Sequence, residues 1–413
     1  MTRILLSLFG LGFAVAAQAG VPVVEVAEVG GVLDARSIRY VSQTIESAAA
    51  EGREVLIIQL SSRGVVAPSD QLEELAKLVA DPPLPVVFWV GPQPAVAYGG
   101  ALQLLSLAPL RTAAPGTELG HWSPSVAGDP AAPDPGGSSP IGDETVVVSA
   151  PIPGLVDELA PTVRQLIQSL DGHEFTIDGK TRTVQTMTPV EAGITTVDTR
   201  FVSEPIGDRI LHLSTKPEAA FFFLIVGLTV ATFEFYAVGP GLAAGVAGLA
   251  LILGGYGLAV LPVRWWAVAA IVAGWALLTG AHQRGGILWM RVAGGGLLLA
   301  GGLYLTDAAP QIAPSVVGVV VAAAAVLAFF LVALPVVARA RFSTPNLGRE
   351  GLVDKPGIAE TDFTPDGIAY VEGASWSASA HRAAKIKRGD VIKVMAVVGE
   401  QLEIGPADRE KRQ

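Results

Sequence analysis

The sequence predicts a multidomain membrane protein: an exported α/β domain, an α-helical transmembrane bundle and a small β-barrel at the C-terminus. Three observations predict it. Apolar residues make up 51% of the 413 and charged residues only 16%, against roughly 25% charged in an ordinary soluble domain. The charge deficit is concentrated between Ala219 and Val337, while both flanks have soluble composition. The chain opens on an export signal and closes on short apolar runs separated by turns.

The first element is Arg3 followed by the apolar stretch Ile4 to Ala16 and then Ala17-Gln18-Ala19. A basic start, a short apolar core and small residues before the cut describe a secretory signal peptide over residues 1–19, with Gly20 opening the mature chain. Residues 20–215 then read as one α/β domain. Val21–Val26 is a β-branched strand. Ile38, Val41, Ile45 and Ala48 recur at helical spacing within Ala35–Glu51. Val55–Leu60 and Pro85–Val90 are continuous apolar runs, the mark of strands buried on both faces. Between them lies a helix over Gln71–Ala80, with Ser69 or Asp70 as its cap. Strands and helices alternating at this spacing imply βαβ crossovers and a mostly parallel sheet. Ser123–Asp143, rich in Pro, Gly, Ser and Asp, is expected to be a disordered loop. Asp178-Gly179 between Phe175–Ile177 and Thr181–Gln185 is a hairpin signal.

Residues 216–341 hold five apolar runs: about Ala219–Val238, Gly241–Leu261, Trp265–Thr279, Ile287–Leu305 and Val316–Val337. Most approach the roughly 20 residues that a bilayer requires, with Trp265–Thr279 the shortest. Glycines at 245, 248, 294, 295, 296, 301 and 302 offer the close-approach surfaces that helices use in lipid. An exported first domain and five spans put Arg284, Arg291, Arg339 and Arg341 on the cytoplasmic side, leaving Arg264 and Asp307 outside, as the positive-inside rule requires. Residues 342–413 return to soluble composition. Gly351–Lys355, Gly367–Glu372, Val391–Val397 and Gln401–Ile404 read as the short strands of a small β-barrel, with Glu400-Gln401 in its last turn.

Composition also excludes functions. With no cysteine, disulfides, thiolate metal sites and cysteine nucleophiles are ruled out. Five scattered histidines form no HExxH pair, and no metal or cofactor is expected. The net charge of −10 argues against a nucleic-acid binder.

Four segments resemble the long-form NfeD family of membrane-bound ClpP-class serine proteases. They are Val23-Val24-Glu25-Val26 with Leu33-Asp34; Pro85 to Val90 leading through Pro92 into Ala95-Val96-Ala97-Tyr98-Gly99-Gly100-Ala101; Ala114-Pro115-Gly116-Thr117-Glu118-Leu119-Gly120; and Phe233-Glu234-Phe235 with Gly239-Pro240-Gly241, followed by Gly351 to Ile404. The resemblance covers essentially the whole mature chain. It implies a ClpP/crotonase-like first domain and an OB-type barrel. It also implies homo-oligomerisation through the first domain and a partner of the stomatin/flotillin (SPFH) class.

The resemblance further implies a Ser–Lys dyad, in which lysine deprotonates the serine and backbone donors hold the oxyanion. Here Tyr98 stands at the serine's place, and a phenol of intrinsic pKa near 10 is a poor acyl nucleophile. The oxyanion loop reads Arg63-Gly64-Val65, with Val65 in place of a second glycine, and no lysine occurs between Lys77 and Lys180. The expectation is a degenerate, non-catalytic member; the alternative is a protease with a relocated nucleophile, for which Ser69 and Ser106 are the nearest serines. Lys180 is expected on a solvated turn. Arg63 and Arg111 are either solvated or bind an anion. Glu234, near a membrane helix end, is a candidate polar site. Arg382, Lys385, Lys387 and Arg388 form a basic cluster for anionic lipid or a protein partner. Nearby aromatics stop at Trp376 and Tyr370, so a protein contact through strand edges and loops is preferred over nucleic acid.

Overall fold

The computed structural model describes residues 22–190, 193–236, 241–306, 310–342, 349–381, 384–399 and 401–407. The signal peptide, Gly239-Pro240, Asp307, Arg382 and Glu400 lie outside them. Contacts divide the chain into two compact units, Met1–Val337 and Ala338–Gln413.

In the first unit β1 (Val23–Leu33) leads into α1 (Ala35–Ala50). Asp34 starts this helix by accepting from the backbone N–H groups of Arg36 and Ser37, both at 2.9 Å. Its buried face is Ile38, Val41, Ile45 and Ala48, the spacing read from the sequence. Then come β2 (Val55–Val65), α2 (Ser69–Ala80), β3 (Val86–Val90), β4 (Val96–Tyr98), α3 (Gly100–Leu107), β5 (Leu110–Ala113) and β6 (Glu118–Gly120). Pro68, not Ser69, takes the cap position of α2, with no side-chain capping bond. Proline is pre-set for a helix start and supplies the turn without a hydroxyl.

β2 is the pivot of the sheet. One edge pairs in parallel with β1; the other pairs with β3 over Leu56–Leu60 and then, at Ser62, with β4. The sheet divides there. β3 continues to β5 and to β8 (Glu158–Leu159), whereas β4 continues to β6 and to β7 (Val146–Val147). α1, α2 and α3 cover one face in a single apolar core that includes Ile45, Leu72 and Leu102. The opposite face packs Trp89 against α4 (Val163–Ser169) and the hairpin β9 (Glu174–Ile177)–β10 (Lys180–Thr183), through Leu166, Leu170 and Phe175. Asp178 and Gly179 both have positive φ in that hairpin, as its primed turn demands. A second antiparallel pair, β11 (Met187–Val190) and β12 (Gly193–Thr196), leads to β13 (Asp198–Val202), which adds to the free edge of β1; α5 (Ile206–His212) then leads to the membrane.

The apolar block forms α6 (Pro217–Tyr236), α7 (Leu242–Val260), α8 (Trp265–Gln283), α9 (Leu288–Leu303) and α10 (Val316–Ala328), which continues through a π turn into α11 (Leu334–Phe342). Among the described residues, four helices are long and apolar enough to cross a membrane. The short one is α9, not α8 as the sequence implied: α8 extends through His282 to Gln283. Glycine does the expected packing at some positions only. Gly294 and Gly301 let α9 lie against Gly274, Ala267 and Ile271 of α8, so close that an added methyl would clash. Gly245, Gly248 and Gly296 face open space, while Gly254 and Gly257 seat α7 on α6.

The second unit is a closed five-stranded barrel in the order β14 (Pro356–Ala359), β15 (Asp366–Val371), β16 (Ala374–Ala380), β18 (Gln401–Pro406), β17 (Val391–Val398). Gly351–Lys355, expected as a strand, is instead the end of a 3₁₀ helix and a turn closed by Lys355 N–H donating to Leu352 O. Ala369, Val371, Ala378, Ile392, Val394, Leu402 and Ile404 fill the interior.

Candidate functional site

Where β2 ends beside β4, the chain places Arg63, Gly64 and Val65 next to Tyr98. Tyr98 is the last residue of β4, and only Gly99 separates it from α3. A side chain at a strand-to-helix elbow is the usual stage for a nucleophile. The phenol is half-buried and donates to Glu118 Oε1 at 2.5 Å, and its ring meets His121 edge-on at 5.2 Å. Burial and the bond to Glu118 push its pKa above the ordinary 10, so it stays a neutral donor.

The backbone donors around Tyr98 are engaged. Gly99 N–H donates to His121 O at 2.8 Å and Gly100 N–H to Ser125 O at 3.0 Å. Gly64 N–H donates to Ser62 Oγ at 3.2 Å. An oxyanion hole needs such donors aimed at a vacant point; here a loop of the same chain occupies that place. Gly99 makes this possible, because its φ is +55° and a methyl there would lie 2.8 Å from Pro124 O. Val65 is fully buried and accepts from Ala127 N–H at 2.8 Å.

The loop expected to be disordered therefore folds over the elbow. Trp122 Nε1–H donates to Gly137 O, Ser125 Oγ–H to Pro133 O, and Gln103 Nε2–H to Asp134 Oδ1. Its backbone is irregular, as Pro and Gly dictate, but side-chain bonds hold it. From the membrane side Gln311, in the 3₁₀ turn before α10, donates to His121 O and Ser123 O, each at 3.2 Å.

The other sequence candidates disperse. Ser106 Oγ–H is tied to Gln103 O at 2.7 Å, and Ser69 opens α2. Arg111 grips Asp157 with two nitrogens, at 2.8 and 2.9 Å. Against the cost of burial, that pairing holds the Asp157 carboxyl below its usual pKa. Arg111 thus fastens β5 to β8. Lys180 is exposed on its hairpin, and Arg63 is exposed at the end of β2. Glu234 is half-buried on the last turn of α6.

A triad-like group, unmarked in the sequence, joins α1 and α5. Ser37 Oγ lies 3.5 Å from His212 Nε2, and His212 Nδ1 lies 3.0 Å from Glu204. It is built for structure. Ser37 is fully buried and bound to Asp34, while Nε2 faces Val32 O at 2.8 Å. Burial favours the neutral ring, but the bonds to Glu204 and Val32 O outweigh it and raise the His212 pKa above 6.5.

In the barrel, Lys385, Lys387 and Arg388 are exposed on the loop before β17. Ile386 anchors that loop in the core, and Asp390 and Asp362 hold its backbone. Closure of the barrel removes the free strand edge expected as a contact. In its place stands an apolar outer face: register sets Ile358 beside both Tyr370 and Val391, which are 51%, 44% and 59% exposed. Among the described residues, no group of acidic and histidine side chains is arranged to hold a metal.

Residues 218–335 match the NfeD integral membrane domain, and residues 349–406 match the NfeD-like C-terminal, partner-binding domain. The chain thus carries an NfeD membrane domain followed by an NfeD-like C-terminal domain. It is 22% identical over 440 aligned residues to the membrane-bound protease PH1510 of Pyrococcus horikoshii, spanning 97% of each chain. Its first domain is similar to the solved 1510-N membrane protease specific for a stomatin homolog from that organism, at 17% identity and a TM-score of 0.36, covering 46% of this chain and 96% of that one. Its barrel is similar to the C-terminal domain of the stomatin operon partner protein 1510-C, at 23% identity and a TM-score of 0.15, covering 16% of this chain and all of that one.

Glu118, His121 and Gln311 were not singled out by sequence reasoning. Glu118 stands within a segment that carried the family resemblance. Gln311 is a polar residue inside an apolar block, a signal that was available.

Proposed function

We propose that this protein is a non-catalytic NfeD-family scaffold, a pseudoprotease that works with a stomatin/flotillin-class membrane partner. The observation that carries the reading is the saturated elbow. Tyr98 is tied to Glu118, and the Gly64, Gly99 and Gly100 N–H groups all have partners within the chain. The match of residues 349–406 to a partner-binding domain supports a protein partner, and the family resemblance read in the sequence supplies its class. The apolar outer face of the barrel, with Lys385, Lys387 and Arg388 on its loop, is the proposed contact. Homo-oligomerisation through the first domain belongs to the same proposal.

The export signal and the arginines at 284, 291, 339 and 341 support an exported first domain and a cytoplasmic barrel. The ends of α7 and α9 meet where Arg264 N–H donates to Leu305 O at 2.8 Å. Val32 and Ala127 of the α/β domain pack there with Ala220, Leu261 and Ile312.

A fluorophosphonate probe on the detergent-purified chain tests the proposal. The expected result is no serine labelling. Stoichiometric labelling of Ser69 or Ser106, abolished by alanine at that position, would establish a relocated nucleophile instead.

A further inference from the structure

The short helix before the membrane, α5, wears its sides in reverse. Its inward side carries Asp208 and His212. Asp208 accepts from Arg36 at 2.5 Å, and the His212 ring bonds Glu204 and Val32 O. Its outward side carries Ile206, Ile210 and Leu213, which are 77%, 44% and 58% exposed. At 3.6 residues per turn these three fall in one row along the helix. A lone exposed isoleucine needs no explanation. An ordered apolar row does, on a helix whose polar side chains took the inward positions and left apolar surface outside.

The fold fixes the height of this row against the membrane bundle. Only Ser214, Thr215 and Lys216 separate Leu213 from Pro217, the first residue of α6. Ser214 rests on α7: a methyl added to Gly257 would lie 2.4 Å from Ser214 O. Next to it, Tyr256 donates to Asp34, and Arg36 lies over the Tyr256 ring, 5.8 Å from its centroid. The start of α1, α5 and α7 are thus one packed group. α7 has 19 residues, a length of about 28 Å that matches the hydrocarbon core of a bilayer. Gly257 lies in its last turn, which ends at Val260, so the end of α5 stands at the hydrocarbon boundary. Trp265, Trp266 and Tyr304, all more than half exposed, lie at this same end of the bundle, beside the bond from Arg264 N–H to Leu305 O. Such aromatics mark a membrane–water interface.

We propose that the outward row of α5 lies in the lipid–water interface at this end of the bundle, with Ile206, Ile210 and Leu213 immersed among the upper acyl chains. Arg209 flanks the row and Lys216 follows it, both exposed. At this level their cations reach the lipid phosphates. Lipid already surrounds α7 here, so the row needs no second protein to cover it. The inward bonds of Asp208 and His212 then tie α1 and β1 of the α/β domain to the membrane surface.

The chain has no cysteine, so Ile206→Cys, Ile210→Cys and Leu213→Cys each take a nitroxide label at one place. All three positions are exposed, and the fold should survive each change. Power-saturation EPR of the full chain in nanodiscs of phosphatidylethanolamine and phosphatidylglycerol compares collisions with oxygen, which concentrates in lipid, and with a water-soluble nickel chelate. Leu249→Cys, at a position 56% exposed on α7, is the lipid reference. Lys180→Cys, on the exposed β9–β10 hairpin, is the water reference. The three α5 labels should favour oxygen over nickel, shifted from the Lys180 reference toward the Leu249 one. A label at Ile210→Cys, the middle of the row, that matches the water reference overturns the proposal. Shielding of that label from both reagents overturns it too, and dipolar broadening between labels would then identify a second copy of this chain as the cover.

Discussion

The elbow at Tyr98 and the outer face of the barrel treat their contacts in opposite ways. At the elbow, Gly64, Gly99 and Gly100 N–H find acceptors inside the chain, and the Tyr98 hydroxyl finds Glu118. On the barrel, Ile358, Tyr370 and Val391 lie side by side and uncovered. Catalysis requires donors held ready for charge that develops later. Recognition requires surface that is still wet and gains by being covered. The first domain has closed the former, and the barrel has kept the latter open.

Breaking the open side should have the largest effect. Ile358→Asp with Tyr370→Asp puts two charges into the apolar face. Affinity of the full chain for the proposed stomatin-class partner should fall by about 30-fold or more, the size of losing one hot-spot residue. Both side chains point outward, but the two carboxylates would stand opposite one another in the sheet, so the barrel should lose about 1–2 kcal/mol and stay folded. Surface plasmon resonance and circular dichroism give the two readings. Undiminished affinity would place the contact elsewhere and dissolve the comparison.

A smaller effect should come from loosening the closed side. Gly99→Ala adds a methyl at φ +55° that would lie 2.8 Å from Pro124 O. The loop must shift, or the backbone must bear a strain of about 1–3 kcal/mol. Thermal melting in detergent should drop accordingly, and limited proteolysis should cut sooner within residues 121–143. A variant as stable and as resistant as the parent would mean that the loop is not held against α3.

How much of this was legible varies with the kind of signal. Ile38, Val41, Ile45 and Ala48 were found because burial imposes a period on a helix, and the Asp178-Gly179 turn because two positive-φ residues leave few choices. β16 was missed because Ala374-Ser375-Trp376-Ser377-Ala378-Ser379-Ala380 has too little hydrophobic contrast to show alternation, although barrel closure makes it a strand. Composition described the backbone of Ser123–Asp143 but not its fixation, which depends on Gln103, Asp134 and Gln311 meeting from distant positions. The same limit applies at the site. Tyr98 and Val65 were visible against a family pattern, whereas the loop carbonyls that engage the backbone donors have no sequence signature at all. The apolar face of the barrel stayed hidden until strand register placed Ile358 between Tyr370 and Val391.

The smallest expected effect is the one on chemistry. Tyr98→Ser restores the residue type that the family resemblance implies at the elbow, yet the serine would meet Glu118 and no lysine. Its neighbouring N–H groups would still donate to His121, Ser125 and Ser62. A general base and an oxyanion donor are each worth on the order of 100-fold or more in rate, so hydrolysis of unfolded casein should stay at background. Stability should fall slightly. Loss of a fully buried aromatic costs about 3–5 kcal/mol, but Tyr98 is only half-buried, so about 1–2 kcal/mol is the scale to expect. The double variant Tyr98→Ser with Gly99→Ala separates the remaining causes. If it too is inactive, loosening the cover does not supply the missing base. If Tyr98→Ser alone cleaves casein, a base already stands within reach of that position, and the closed elbow is a resting state instead of a lost site.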